Sequence, residues 1–155
     1  MTIEERVAAL ADKAAIIEFK SRYCYLADKR DWESWCDLFT EDATLEIGAL
    51  GRFEGRAKIR EHMETTTNAT QPWFAHMVHN PIIEVKGNEA SGEWYFEVPC
   101  DFKGMSWGEG AGWMQGKYTE RYVKTAGGWK IAYLQADFNI ISSHAKGWYE
   151  QKIQL

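Results

Sequence analysis

The side chains best suited to proton transfer at neutral pH are histidines. Two of the four in this chain, His76 and His79, fall in one stretch, WFAHMVHNPIIEV at residues 73–85. An imidazole changes charge near neutrality, which suits a general base. The stretch itself is β-branched and aromatic, the composition of a strand. Side chains alternate across a strand, so residues three apart face opposite ways, and at most one of these histidines can face a given cavity. A base histidine also needs an acceptor, usually a carboxylate, on its second ring nitrogen to fix its tautomer. Asp28, in YLADKRDW, stands where the first helix should end and could enter the same interior. Tyr23, five residues earlier, would add a phenol donor near that end. Each has an ordinary alternative reading: Asp28 as a helix terminator, Tyr23 as a core aromatic, the histidine as a satisfied core or surface group.

Other chemistries find less support. The sequence has no HExxH and no paired-cysteine spacing, so no metal is expected. GEGAG at 108–112 lacks the Lys-Ser/Thr of a phosphate loop and reads as a hairpin tip. No GxSxG occurs, and no cysteine has a histidine beside it in sequence. What is left is a site of acid–base side chains with no cofactor. Cys24, Cys36 and Cys100 fit neither a disulfide framework nor a zinc pattern and read as reduced, buried thiols of a cytoplasmic protein. A net charge of −5 with no basic stripe argues against a nucleic-acid partner. MTIEERVAALADK lacks a signal-peptide core, and no apolar run is long enough to span a membrane.

These residues need elements to position them. Ile3, Val7, Leu10, Ala14, Ile17 and Cys24 recur at spacings of three and four, or their sum, which predicts a helix from about 3 to 27 that packs this stripe on a sheet. Thr2 and Glu5 form a capping box at its start. DWESWCDLF predicts a short helix capped by Asp31, residues 43–50 a strand, and 55–66 a third helix. Strands follow at 73–86, 89–103, 111–124 and 128–142, separated by KGNEAS, KGMSWGEGAG and KTAGGW. Helices first and strands second imply an α+β fold of one domain, 1–155, with three N-terminal helices on one face of an antiparallel or mixed sheet. Alternation turns Trp94, Phe96, Val98, Cys100 and Phe102 toward the helices, together with Ala132, Leu134, Ala136 and Phe138. It turns Ile131 and Tyr133 outward. With Trp129, and with eight tryptophans in the chain, these are the expected contacts of a homodimer or homotrimer.

Taken in order, AAIIEFKSRYCYLADKRDWESWCDLFTEDATLEI, HMVHNPIIEV, GEWYFEV and GKYTERYVKTAGGWKI resemble the SnoaL-like branch of the nuclear-transport-factor-2-like superfamily, over residues 3–142. That branch includes scytalone dehydratase, bile-acid 7α-dehydratase and hexachlorocyclohexane dehydrochlorinase. The resemblance implies a cone-shaped curved sheet closed by three helices around an apolar cavity. It implies that Asp28, followed by Lys29 and Arg30, pairs with His76 rather than His79, and that His76 shares an inward face with Val78, Asn80 and Ile82. It places Tyr23 where bile-acid dehydratases carry a catalytic tyrosine, and Leu45, Val98, Tyr118, Leu134 and Phe138 at pocket-lining positions. Val98 and Phe138 stand where bile-acid dehydratases have an acidic and a basic residue, so a bile-acid thioester is not the expected substrate.

The resulting expectation is a cofactor-independent lyase of aromatic-compound catabolism. It would act by elimination or retro-aldol deformylation on a hydrophobic aromatic or polycyclic small molecule. An isomerase would use the same groups. The rival class is a non-catalytic binding or assembly module whose cavity is filled by aromatic side chains. An accessory domain of a ring-hydroxylating oxygenase would instead need a large apolar patch on the outer sheet face. Trp148 and Tyr149, in the tail 143–155, are candidates for a lid.

Overall fold

The structure is a computed structural model that describes residues 2–106 and 108–144. Helix α1 spans Ile3–Lys29, α2 Trp32–Cys36, and α3 Arg56–His62. The last of these continues through a π turn, Met63–Thr67, into a final α turn, Asn68–Thr70. The strands are β1 Phe39–Glu46, β2 Arg52–Glu54, β3 Trp73–Phe74, β4 Met77–Lys86, β5 Glu89–Met105, β6 Gly108–Thr125 and β7 Gly128–Ser143. Three helices thus cover a curved, open sheet of seven strands ordered β2-β1-β7-β6-β5-β3, with β4 also on β5. All pairings are antiparallel except β1 on β7, which is parallel and makes the sheet mixed.

The local signals act as their chemistry requires. The Thr2 hydroxyl accepts from Glu5 N–H while the Glu5 carboxylate accepts from Thr2 N–H, closing the capping box. Asp31 caps α2 by accepting from Ser34 N–H at 3.1 Å. Residues 47–50 leave the predicted strand for a 3-10 turn at Gly48–Leu50. GEGAG is no hairpin tip: Gly108 pairs with Met105 and Gly110 with Phe102 inside the β5–β6 ladder.

The buried face of α1 is not the expected stripe. Of the stripe's members only Cys24 is buried; Ile3, Val7, Leu10, Ala14 and Ile17 are exposed, and the helix buries Ile16, Lys20, Tyr23 and Ala27 beside Cys24. At 100° per residue the two sets lie about 120° apart around the helix. The core selects the second because Lys20 has a partner there. Glu120 projects inward from β6 and pairs with the Lys20 ammonium, both side chains being fully buried. Tyr122 O–H donates to the same carboxylate, and Trp94 Nε1–H donates to Tyr122 Oη at 3.0 Å. The ammonium also sits over the rings of Tyr23 and Tyr118, 3.7 and 4.0 Å from their centroids.

Alternation holds along β5, where Trp94, Phe96, Val98, Cys100 and Phe102 are buried, and fails along β7. Ile131 pairs with Tyr122 and Tyr133 with Arg121, so Ala132 is an extra residue. A bulge of this kind resets which side chains face the core. Trp129 and Ile131 are therefore buried, not outer-face contacts, and Ala132 is only half-buried. The outer face of β7 carries a polar ladder instead: Tyr133 Oη donates to Gln135, and Gln135 Nε2 to Asp137. A second extra residue, Asn139, lies opposite Gln115–Gly116. There Gly116 is required, since a Cβ would stand 2.0 Å from Asp137 O and 2.8 Å from the Phe96 ring.

Breaking a buried ion pair strands a charge, at about 3–5 kcal/mol, whereas replacing both partners with apolar groups is often neutral or better. Lys20→Met is expected to lose that much in urea unfolding, and Lys20→Met with Glu120→Leu to recover most of it. A double variant no more stable than the single would show that the pair is not the coupled unit.

Candidate active site

The helix that carries Asp28 ends by a left-handed cap. Arg30 adopts φ 59°, its N–H bonding back to Leu26 and Ala27 carbonyls, and Asp31 N–H reaches Leu26 O at 3.1 Å. A non-glycine residue is strained at this φ, and here its side chain is in use. The Arg30 guanidinium donates to Asn68 Oδ1 at 2.7 Å and to Gln71 O, and lies 4.6 Å from the centre of the Phe74 ring. It thereby ties the end of α1 to the end of α3 and to β3, the elements on either side of the histidine.

On the strand side, the expected 73–86 strand is interrupted at Ala75–His76, between β3 and β4. The interruption frees a donor. His76 N–H, with no ladder partner, donates to both oxygens of Asp28, at 3.0 and 3.1 Å. Its ring closes on the same group, Nδ1 to Oδ1 at 2.8 Å. An ionised carboxylate can only accept, so Nδ1 is the donor of this contact, and in the neutral imidazole the lone pair then falls on Nε2. Both side chains are mostly shielded, 14% exposed for His76 and 26% for Asp28. A second irregularity follows. Asn80 has φ 53° and the register shifts between His79 and Ile82, so Ile83 is buried while Asn80 and Ile82 are exposed. The inward row that starts at His76 and Val78 thus does not include Asn80 or Ile82. His79 lies outside, stacked on Tyr95.

His76 opens onto a cavity of about 80 Å³. Leu45, Val98, Tyr118 and Phe138 line it, as does Tyr23, while Leu134 is fully buried and outside the lining. Sequence reasoning did not assign Phe74, Phe96, Met114 or Trp35 to the walls, nor Met63 and Thr67 of the π turn, a feature that often marks functional sites. Phe74 was legible by its position two residues before His76. Phe96 was legible by its inward parity. The Trp35 indole N–H is buried with no hydrogen-bond partner among the described residues. Burial pushes the Tyr23 and Tyr118 phenols well above their usual range, so both are neutral donors at any physiological pH. A larger groove of about 490 Å³, lined by Asp42, Thr44, Glu84 and Arg121, holds no histidine. Among the described residues no group of three or more His, Cys, Asp or Glu could hold a metal, and no helix is long and apolar enough to cross a membrane.

A histidine locked to a helix-end carboxylate, facing an aromatic cavity in a helix-covered curved sheet, defines a class of fold and site. Residues 8–135 match the family described as the SnoaL-like domain, and the chain belongs to that family. It is 29% identical over 134 residues to the uncharacterised protein Rv2910c of Mycobacterium tuberculosis, covering 81% of this chain and 84% of the relative. Among solved structures, it resembles hexachlorocyclohexane dehydrochlorinase LinA-type3 from Novosphingobium barchaimii at TM-score 0.78 and 20% identity, covering 90% and 94% of the two chains. A candidate scytalone dehydratase from Novosphingobium aromaticivorans superposes at TM-score 0.77 and 20% identity, covering 87% and 89%. At these identities the likeness is one of fold.

Arg30→Gly keeps the left-handed cap but removes the clamp. The protein should stay folded while the imidazole Nδ1 proton, shielded and slow to exchange when bonded to Asp28, broadens in NMR spectra. An unchanged resonance would mean that Arg30 does not position the pair.

Proposed function

We propose that this protein is a cofactor-independent lyase acting on a hydrophobic, aromatic or polycyclic small molecule, with Asp28 and His76 as its base dyad. The observation that carries this reading is the double hold of Asp28 on His76, through ring and backbone, which leaves Nε2 as the one free imidazole nitrogen beside the cavity. In an elimination, Nε2 takes a proton from carbon and the electron pair forms the new double bond. The bond to the leaving group breaks as Tyr23 donates its proton to the departing oxygen, and the imidazolium then passes its proton to the resulting phenolate, which restores both side chains. Asp28 stabilises the imidazolium meanwhile. The free Trp35 N–H is a further donor for a substrate oxygen. Two structural neighbours named as a dehydrochlorinase and a dehydratase support elimination as the reaction class. Retro-aldol deformylation or isomerisation would use the same groups.

The cavity size favours a second reading. An apolar cavity of roughly 150 Å³ accommodates benzene, and this one offers about half of that. An aromatic substrate must therefore displace the rim, where Ile47, Leu50, Met63 and Gln71 stand, or the protein is a binding module. The polar outer face of β7 gives little support to an oxygenase accessory role.

Turnover of aromatic catabolites, followed by mass spectrometry, separates the two. With a turned-over substrate in hand, His76→Ala and Asp28→Asn should each lower kcat/KM by about 10²–10⁴, the usual contribution of a positioned base. Losses below about tenfold in both would count against the dyad. Tyr23→Phe should slow the reaction yet leave the pH profile unchanged from about pH 5 to 9, because the raised phenol does not titrate there. An alkaline limb that vanishes in this variant would assign Tyr23 a different role.

A further inference from the structure

The apolar stripe that fails to enter the core has a spacing of its own. Ile3, Val7, Leu10, Ala14 and Ile17 are separated by four, three, four and three residues, the 3.5-residue repeat of a coiled-coil seam. All five are exposed, Ile3 at 65%, Val7 at 58% and Leu10 at 67%. The domain holds α1 only farther along. Asp12 bonds Lys124 at 2.6 Å and Trp129 Nε1 at 3.3 Å, and the first buried residue is Ile16. The opening turns thus project with their apolar side uncovered by the described residues, although short isolated helices are marginal in water.

The flanking charges indicate what covers this side. With Ile3, Leu10 and Ile17 at d and Val7 and Ala14 at a, the e positions are Glu4, Ala11 and Glu18, and the g positions include Arg6 and Lys13. In a parallel in-register pair g faces e of the next heptad, so Lys13 meets Glu18 of the second copy and Arg6 meets Ala11. In an antiparallel pair e faces e and g faces g, so the register that sets Val7 on Ile17 and Leu10 on Ala14 would put Glu4 on Glu18 and Lys13 on its own copy, like charge on like. Glu18 is available, since its pairing with Arg22 at 3.4 Å is exposed and weak. Glu4, Glu5, Arg6, Asp12 and Lys13 carry no basic excess, which disfavours an anionic membrane as the occupant.

We propose that residues 3–21 of α1 pair, parallel and in register, with the same segment of a second copy of this chain. The domain packs about a third of a turn away from the seam, so a two-fold axis along it sets the two domains on opposite sides.

Sedimentation equilibrium of the full chain over a wide concentration series tests this. The wild type should dimerise, and Leu10→Lys should weaken dimerisation by about 100-fold, because like charges would meet in the seam. Its thermal unfolding at low concentration should be nearly unchanged, since Leu10 is 67% exposed and lies outside the buried core of the described residues. Val7→Cys should give a disulfide-linked dimer under mild oxidation, because parallel register sets Val7 beside Val7. The native thiols are buried, with Cys24 and Cys36 pushed up to about 11 and Cys100 to about 12, and should stay out of the reaction. A chain monomeric throughout the series would overturn the proposal, as would a dimer indifferent to Leu10→Lys. A dimer that Val7→Cys leaves unlinked would overturn the parallel register. Dimerisation seen only after deletion of 145–155 would mean that this segment occupies the seam, and would overturn it too.

Discussion

One carboxylate sits where a helix disfavours it. Asp28 lies in the last turn of α1, at the negative end of the helix dipole, and is partly withdrawn from water. Its position is tolerable because donors converge on it, the His76 backbone N–H on both oxygens and the ring on one. That convergence has structural costs on both sides. The strand must break at Ala75–His76 to release a backbone donor, and α1 must stop in a left-handed turn at Arg30. The Arg30 side chain then holds the end of α3 and β3 in place. Remove any of these and the carboxylate is left near a carbonyl-rich helix end without compensation.

Beneath this pair the interior is polar in an unusual way. Lys20 and Glu120 together carry no net charge, yet the ammonium rests on the π faces of Tyr23 and Tyr118 while the carboxylate is held by Tyr122. The arrangement fixes both cavity phenols in orientation through a charged group that never meets the cavity itself. A hydrophobic residue at position 20 could fill the space, but it would give the rings no directional contact.

Much of this was legible in the sequence, and the failures have physical causes. Helix caps at Thr2 and Asp31 were readable because capping depends on neighbours within three residues. The inward row of β5 was readable because β5 alternates without interruption from Ala90 to Phe102. Asp28 and the two candidate histidines followed from residue type and element order, the choice of His76 over His79 came from the family resemblance, and the 2.8 Å meeting needed the three-dimensional fold. The α1 stripe misled because two apolar-looking faces compete on one helix, and the buried one contains a lysine whose partner lies 100 residues away. The β7 parity misled because a bulge is a property of strand pairing, not of the strand's own residues. Trp129 and Ile131 read as outward by counting and are inward by geometry. The lid expected of Trp148 and Tyr149 lies outside the described residues.

The parallel seating of β1 on β7 has a consequence for how the chain assembles. Phe39 pairs with Ile131 and Leu45 with Leu134, contacts that span about ninety residues and belong to the class of pairings that slows folding most. During synthesis the early helices and β1 emerge long before the strand they need. The hollow beside His76 therefore has no floor until the last hairpin arrives. Until then Trp35, Phe39 and Leu45 have no native cover from that strand, and the nascent intermediate is the species in which this chain is most vulnerable to aggregation.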